Sequence, residues 1–358
     1  KYTWLGYLTS IVPIIIFPYY CVIGGWVLKY FSVYLTGQGN NAVSDTFFTE
    51  FISKLGEPVL WLSIFIAVTA VIVLFGVEKG IEKVSRIMMP VLFILSIAIA
   101  IYGITIDGAM EGVVYYLKPD FSKFSPLTVL AALGQLFYSM SLAMGIMITY
   151  GSYMKKEDNL ESSVRQIEIF DTGIAFIAGL MIIPAVFSFS GGDETILTKG
   201  PELMFITLPK VFGNMKLGNV IGLLFFILIL FAALTSSISL METIVSILQD
   251  KLKWKRQTTC IVILVFAIIV GIPSSLGFGI WSDIKLLGFS ILDFWDFISN
   301  SVLMPIVALF TCLFVGFVVK PSILIEEVKI SSPFKSQNLF TIMIKYIAPI
   351  GIVLILVS

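Results

Sequence analysis

One short stretch of the chain, 134–145, has the residue types needed to bind a cation inside a membrane. It reads GQLFYSMSLAMG, with glycine at both ends and serine at positions 139 and 141. Glycine at two points lets a helix unwind. An unwound helix in a bilayer frees carbonyl oxygens for a cation, while its half-helix ends face charged ligand groups. A packing seam between two helices uses the same small residues, so that alternative stays open.

A second polar cluster lies in the apolar segment LFAALTSSISLMETIV, residues 230–245. Its members are Thr235, Ser236, Ser237 and Ser239, with Glu242 one turn after Ser239. Hydroxyls in a membrane helix usually bond to their own backbone. They are also suitable oxygen ligands for a hard cation, together with carbonyl and carboxylate groups. The residue types alone favour neither interpretation.

Two further polar features lie within apolar stretches. Asp171 opens the apolar segment 168–190, where it is either an N-terminal charge stabilised by the helix dipole or a cation ligand. Tyr19 and Tyr20 follow Pro18 in the middle of the first apolar segment, too deep for an interfacial aromatic belt. Their hydroxyls therefore need partners inside the protein.

The composition of the chain requires a membrane. Of its 358 residues, 58% are apolar and 13% are charged, against about 45–50% and about 25% in soluble proteins. The net charge of zero and the lack of basic runs outside short loops argue against a nucleic-acid partner. The absence of histidine removes His-based hydrolase triads and His-ligated zinc sites. Because no nucleophile has a base at usable spacing, the protein is not expected to be an enzyme.

Apolar windows predict nine membrane-spanning helices, since a hydrocarbon core of about 30 Å needs about 20 residues. The windows lie near 8–36, 58–77, 86–106, 127–152, 168–190, 217–248, 258–275, 292–319 and 340–357. They lack the alternation of a membrane β-barrel. We therefore expect an all-α, multi-span membrane protein with one transmembrane domain over residues 1–358.

If the nine spans alternate, four charged stretches fall on one side of the membrane. They are 78–86, 154–165, 249–256 and 320–335. Fifteen lysines and arginines lie on that side and seven on the other, which predicts that it is cytoplasmic. The longer loops on the opposite side, near 37–57, 107–126 and 191–216, carry turn signals and short amphipathic pieces, so we expect them to form lids.

Three of these segments resemble the neurotransmitter:sodium symporter family, the sodium-coupled amino-acid transporters of bacteria and animals. PIIIFPYYCVIGGW (13–26) is similar to the family's third helix, GQLFYSMSLAMGIMITYGSYMKK (134–156) to its unwound sixth helix, and FAALTSSISLMETIVSILQD (231–250) to its eighth. The resemblance implies a helical bundle of the inverted-repeat sodium symporter type, with helices three to eleven present. We expect the family's first two helices to precede Lys1, so that the chain is N-terminally incomplete.

The resemblance also implies a set of substrate-binding residues. Tyr20 matches the tyrosine whose hydroxyl donates to the substrate carboxylate, and Ile16 lies one turn below it as a pocket wall. Tyr138 matches the aromatic lid, and Ser139 matches the hydroxyl residue that touches both sodium and substrate. The remaining positions around the pocket are Ser141, Ala143, Met144, Ser236 and Leu240.

Two sodium ions are implied as co-transported cargo, with no organic cofactor. The first ion matches Ser139 and Asp171, and the second matches Ala232, Thr235 and Ser236. Chloride-dependent relatives place a serine four residues after the seventh-helix sodium ligand. This chain has Ala175 there, and Asp171 already supplies a fixed negative charge, so we predict chloride independence.

Two acidic residues match the family's gates. Asp250 matches the acid of the cytoplasmic gate, and Asp296 matches the acid of the extracellular gate. Asp293, three residues before Asp296, is a weaker second candidate for the extracellular gate.

These matches predict sodium-coupled symport of a small-molecule amino acid by alternating access, in the lipid bilayer of the inner (plasma) membrane. Met144 is adaptable and its neighbours are small, so a bulky hydrophobic or aromatic amino acid, for example tyrosine, fits best. One alternative is a sodium-independent or proton-coupled permease. The other is a channel or structural membrane subunit, in which the hydroxyls only pack helices. No oligomeric state is predicted.

Overall fold

The computed structural model describes residues 2–122, 124–193, 197 and 200–357. Lys1, Lys123 and Lys199, which enter the count of basic residues on each side, lie outside the described residues. Within the described residues the chain is helical, and its β-type pairing is limited to an isolated bridge between Leu286 and Phe289. The all-α prediction is confirmed.

Seventeen α-helices make up the described fold. They are α1 Thr3–Leu35, α2 Phe47–Ser53, α3 Glu57–Leu74, α4 Lys83–Ile104, α5 Ala109–Leu117, α6 Pro126–Ser139, α7 Ile146–Tyr153, α8 Leu160–Ser190, α9 Gly200–Glu202, α10 Leu208–Gly213, α11 Gly218–Leu252, α12 Arg256–Leu276, α13 Ile291–Asp296, α14 Met304–Leu313, α15 Pro321–Ser331, α16 Gln337–Ile342 and α17 Ala348–Val357. Wider π turns precede α4 at Val77–Glu82, join α13 to α14 at Phe297–Leu303, extend α14 over Phe314–Val319 and join α16 to α17 at Met343–Ile347.

Eight continuous helices of the described chain are long and apolar enough to cross a membrane. They are Thr3–Leu35, Glu57–Leu74, Val77–Ile104, Leu160–Ser190, Gly218–Leu252, Arg256–Leu276, Ile291–Val319 and Gln337–Val357. The sequence predicts nine. The difference is the predicted span 127–152, which is divided into the two half-helices α6 and α7.

The core forms where α1 crosses α11 and α3. Tyr30 of α1 and Phe226 of α11 are both fully buried, with ring centroids 5.2 Å apart. Two glycines of α1 allow α3 to approach closely, because a Cβ on Gly25 would lie 2.7 Å from the backbone nitrogen of Leu62 and one on Gly24 would strike the ring of Phe65. This close contact fixes the position of α1, which carries Tyr19 and Tyr20.

The amphipathic piece predicted near 37–57 forms a short helix, α2. Its residues Phe48, Phe51 and Ile52 are buried, and Phe48 packs edge-on against Trp26 with ring centroids 5.3 Å apart. The opposite loop 191–216 contributes Phe205, which stacks on Phe48 at 5.0 Å. These loops therefore cover one end of the bundle, as the sequence predicts.

The charged stretches meet at the other end of the bundle. Ser332 contacts Asn159 at 3.3 Å, which joins the stretches 320–335 and 154–165. Arg256 donates to the carbonyl of Val73, at the end of α3, at 2.7 and 2.8 Å. We call this end the basic face, defined by the stretches 78–86, 154–165, 249–256 and 320–335.

Candidate functional site

The predicted helix break is present between α6 and α7. Helix α6 ends at Ser139, α7 begins at Ile146, and the segment between them contains three residues with positive φ: Ser141 at 54°, Ala143 at 60° and Gly145 at 76°. Such values favour glycine, and a Cβ on Gly145 would also lie 3.2 Å from a methyl group of Thr243. Turn hydrogen bonds from Ser141 and Leu142 to the last turn of α6 end that helix. The break therefore lies at the site that the glycine and serine pattern predicts.

At the end of α6, Ser139 pairs with Asp171 of α8. The Ser139 hydroxyl donates to the Asp171 carboxylate at 2.6 Å. Ser139 is exposed and Asp171 is half-buried, so the pair is accessible rather than sealed in the core. A carboxylate and a hydroxyl held this close are two oxygen ligands of the kind that hard cations take.

The structure excludes one of the two interpretations of Asp171. Helix α8 begins at Leu160, not near 168, and its N-cap is Asn159, whose side chain accepts from the Ser162 nitrogen at 2.9 Å. Asp171 thus lies about three turns inside the helix. The helix dipole acts mainly within the first turn, so the alternative of an N-terminal charge is wrong.

The hydroxyl groups of α11 bond largely to their own helix. The Thr235 hydroxyl donates to the carbonyls of Phe231 and Ala232, both at 3.0 Å, and Ser239 donates to the Thr235 carbonyl at 3.0 Å. The back-bonding interpretation therefore holds for these two residues. With this back-bonding, the Thr235 hydroxyl oxygen and the Ala232 carbonyl oxygen lie 3.0 Å apart on α11. Ser236, the next residue in the chain, is exposed.

Ser237 and Ser239 also link α11 to neighbouring helices. Ser237 pairs with Thr69 of α3 at 2.9 Å, and both residues are fully buried. Ser239 pairs with the Tyr150 hydroxyl of α7 at 2.8 Å. These two contacts position the half-helix α7 and the helix α3 against α11.

Helices α1, α6 and α11 bring together several residues that the sequence assigns to substrate. The Tyr20 hydroxyl lies beside the Ser236 hydroxyl, and Tyr138 interacts with Tyr20. Three apolar residues of the same predicted pocket are buried, with exposed fractions of 1% for Ile16, 4% for Met144 and 3% for Leu240. Ser141 and Ala143 lie in the break itself and are half-buried.

Tyr19 has a different partner from its neighbour Tyr20. Its hydroxyl lies 2.9 Å from the Ser299 hydroxyl, and both residues are buried. Ser299 belongs to the π turn Phe297–Leu303 that follows α13. The expectation that both tyrosine hydroxyls need internal partners is met, since Tyr20 neighbours Ser236.

The predicted gate acids occupy opposite ends of the molecule. Asp296 is half-buried, accepts from the Asn300 amide at 2.6 Å and interacts with Tyr138. Asp293 instead lies in the first turn of α13, where its carboxylate accepts from the hydroxyl of the N-cap residue Ser290 at 2.7 Å. Asp250 is exposed in the last turn of α11, at the basic face. Of the two acids near 293–296, Asp296 is therefore the one that lies near Tyr138.

The sequence places Glu242 with the hydroxyl run, but its partners lie elsewhere. Its side chain is fully buried, and both of its carboxylate oxygens accept from the guanidinium of Arg256, one of them at 3.2 Å. The Tyr153 hydroxyl donates to the same carboxylate at 2.7 Å. An acid in an apolar helix and an arginine at the start of the next helix are the sequence signal that indicates this pair.

The fold and this site define a class of protein. A bundle of membrane-spanning helices, with one helix broken beside a carboxylate and hydroxyl oxygens from other helices, is the architecture of a secondary transporter. The model of the sodium:neurotransmitter symporter family matches residues 41–358. The chain belongs to this family.

Similar proteins span almost the whole chain. The uncharacterized sodium-dependent transporter YhdH of Bacillus subtilis is 35% identical over 360 residues, covering 99% of this chain and 78% of the relative. An uncharacterized sodium-dependent transporter of Haemophilus influenzae is 36% identical over 365 residues, with the same coverage of 99% and 78%. The crystal structure of MhsT in complex with L-phenylalanine is 37% identical, with a TM-score of 0.88, and the match covers 99% of this chain and 80% of that chain.

These similarities establish the general activity. The protein is a sodium-dependent symporter and a multi-pass membrane protein, and its family consists of transporters rather than enzymes.

Proposed function

We propose that this protein couples the entry of sodium to the uptake of a hydrophobic or aromatic amino acid by alternating access. The observation that carries the proposal is the 2.6 Å hydrogen bond between Ser139 and Asp171 at the helix break. In this proposal a sodium ion is bound by these two side chains, and the amino-acid carboxylate lies beside it, within reach of Tyr20. A second sodium ion is bound by Ala232, Thr235 and Ser236.

The coupling has a simple electrostatic origin. A carboxylate and a cation are each costly in the low permittivity at the middle of a bilayer, whereas adjacent opposite charges stabilise one another. Binding of sodium therefore raises affinity for the amino acid, and linkage requires the reverse effect to be equal. A sodium gradient can then drive the amino acid against its own gradient.

The proposed substrate class rests on the apolar side of the pocket. Ile16, Met144 and Leu240 are buried there, and methionine adapts to irregular apolar shapes. MhsT, which this chain resembles, was crystallised with L-phenylalanine. We propose phenylalanine and tyrosine as the first amino acids to examine, and the plasma membrane as the location of the protein.

The direct test is uptake of radiolabelled phenylalanine and tyrosine by proteoliposomes, with an inward gradient of sodium or of choline. We expect uptake only with sodium. Tyr20→Phe should raise the KM for the amino acid by about tenfold or more, because it removes a hydrogen bond to a charged group. Tyr115→Phe, on an exposed surface, is the matched control and should leave the KM unchanged.

The sodium site is tested separately with Ser139→Ala, which should raise the sodium concentration needed for half-maximal uptake. Ser10→Ala is its control, because the Ser10 hydroxyl only bonds to the Gly6 carbonyl within α1. Equal uptake in sodium and choline would overturn the proposal. If Asp171→Asn abolished a dependence on pH instead of changing sodium affinity, a proton-coupled permease would be the better description. If none of the site variants had an effect, a channel or structural subunit would be favoured.

A further inference from the structure

Lys345 is a charged residue within an otherwise uncharged membrane helix. It lies in the π turn Met343–Ile347 of the span Gln337–Val357. The aliphatic stem of Lys345 packs against Gly316, in the π turn that extends α14, so closely that a Cβ added to Gly316 would lie 3.3 Å from Lys345 Cγ. The Lys345 ammonium lies 6.0 Å from the centre of the Phe317 ring. Among the described residues no carboxylate pairs with it. A charged side chain in a membrane-spanning helix is costly without a counter-charge, so such residues generally mark a binding site.

A second lysine lies beside the same cavity. The cavity has a volume of about 390 Å³, and its lining includes Lys345, Lys320 and the hydroxyl residue Ser322, with no acidic residue. Lys320 is exposed at the boundary between the membrane helix and α15. Two ammonium groups and a hydroxyl donor around one space suit a phosphate group.

An apolar groove adjoins this basic cavity. It has a volume of about 290 Å³ and shares Phe317 with the cavity. Its walls include Trp4 and Phe310, which pack edge-on at 4.9 Å. Phe317 is 53% exposed, so the groove is open among the residues that the structure describes.

Both pockets lie at the basic face. Helix α15 directly follows Lys320, and Ser332, just after α15, contacts Asn159 of the stretch 154–165. The start of α1, which supplies Trp4, is held to the end of α11 by a 2.5 Å hydrogen bond from Lys251 to Tyr7. A ligand here would therefore meet the membrane leaflet on the lysine-rich side.

We propose that this surface binds an anionic phospholipid, with its phosphate between Lys320 and Lys345 and an acyl chain in the groove along Trp4, Phe310 and Phe317. Charge complementarity selects an anion, and the continuity with an apolar groove selects one that carries a hydrocarbon chain. A free phosphate would leave the groove empty. A second copy of the chain would place the same lysines near each other, and these like charges disfavour it.

The test is native mass spectrometry of the purified, delipidated protein titrated with phosphatidylglycerol or phosphatidylcholine. We expect one phosphatidylglycerol molecule to bind in preference to phosphatidylcholine. Lys320→Gln and Lys345→Gln should each lower that preference by about fivefold, the effect of about one basic residue near an anionic lipid. Lys335→Gln, an exposed change in the same charged stretch, is the matched control and should have no effect.

The groove is tested with Phe317→Ser, which should weaken the binding of phosphatidylglycerol because it removes an apolar wall of the groove. Equal binding of the two lipids, or an equal loss with Lys335→Gln, would overturn the proposal. So would competition by millimolar inorganic phosphate, which would indicate a free anion site, or a dimer that needs Lys320. Because none of these measurements involves transport, their outcome is independent of the proposed substrate and sodium sites. Gel filtration of each variant checks that it is folded.

Discussion

The guanidinium of Arg256 and the carboxylate of Glu242 form an ion pair between α11 and α12, with Glu242 fully buried and Arg256 only partly exposed. Arg256 also donates twice to the Val73 carbonyl, and Tyr153 donates to Glu242. One arginine thus joins the end of α3 and the start of α12 to α11, and Tyr153 adds the end of α7. These are the helices that meet at the basic face, so the pair determines how this end of the bundle is closed.

Arg256→Met should destabilise the protein strongly. It leaves Glu242 buried without a counter-charge, and breaking one half of a buried pair costs about 3–5 kcal/mol. We expect a lower midpoint of thermal unfolding in detergent, measured by tryptophan fluorescence. Lys255→Met, at the exposed neighbouring position, should have little effect. In the double variant Glu242→Gln/Arg256→Met, part of the loss should be recovered, and a double variant less stable than Arg256→Met would contradict this account.

Gly145→Ala should disturb the helix break. The residue has φ of 76°, and a Cβ would lie 3.2 Å from Thr243. Placing a non-glycine residue in the left-handed region costs about 1–2 kcal/mol. We expect slower uptake and a lower unfolding temperature. Gly151→Ala is the control, because the space around Gly151 is open and it lies within α7; an equal loss in both variants would show that the break is not the cause.

Lys29→Met should release the lid helix α2. The Lys29 ammonium lies 2.7 Å from Glu57 and 5.7 to 6.0 Å from the ring centres of Phe47, Phe51 and Trp61. Loss of one partly exposed ion pair and its cation–π contacts should cost about 1–2 kcal/mol. Hydrogen exchange of residues 44–57 should accelerate by roughly tenfold.

Lys54→Met is the control for this lid. Lys54 also pairs with Glu57, at 2.9 Å, but its side chain is 59% exposed, and such pairs contribute little. We expect hydrogen exchange close to that of the unmodified protein. Faster exchange in Lys54→Met than in Lys29→Met would show that the aromatic surroundings of Lys29 do not hold the lid.

Uptake should not require chloride. Position 175 is alanine, without a hydroxyl to coordinate an anion, and Asp171 already supplies a negative charge next to Ser139. Replacing chloride by gluconate at constant sodium should leave the initial rate of uptake unchanged. A severalfold loss that returns when chloride is added back would be evidence for an anion site that involves other residues.

The helix break shows how far local sequence determines this structure. Glycines at 134 and 145 and the serines between them predict an unwound segment, and the chain leaves the helix after Ser139. The reason is local, because glycine tolerates positive φ without steric cost. Even so, Ser141 and Ala143 adopt positive φ as well, which their own residue types disfavour and which only the surrounding structure can impose.

The membrane spans follow from the sequence, but the exact start of α8 does not. Apolar runs determined the membrane helices and the side on which the charged stretches meet, because burial in lipid depends on composition along the chain. The composition around Asp171 suggested a helix start, whereas the polar turns 160–170 continue the helix beyond the apolar run. The edge of an apolar run therefore does not mark the start of a helix when the N-cap residue, here Asn159, lies earlier in the chain.

What only the tertiary structure decided is which distant polar groups meet. Tyr19 pairs with Ser299, 280 positions away, Thr69 with Ser237, and Glu242 with Arg256 rather than with the hydroxyl run. The residue types showed that each buried polar group needs a partner, because an unpaired one is costly in an apolar interior. The partner itself depends on how helices cross, and that is set by close contacts such as Gly25 against Leu62, which no periodicity along the chain encodes.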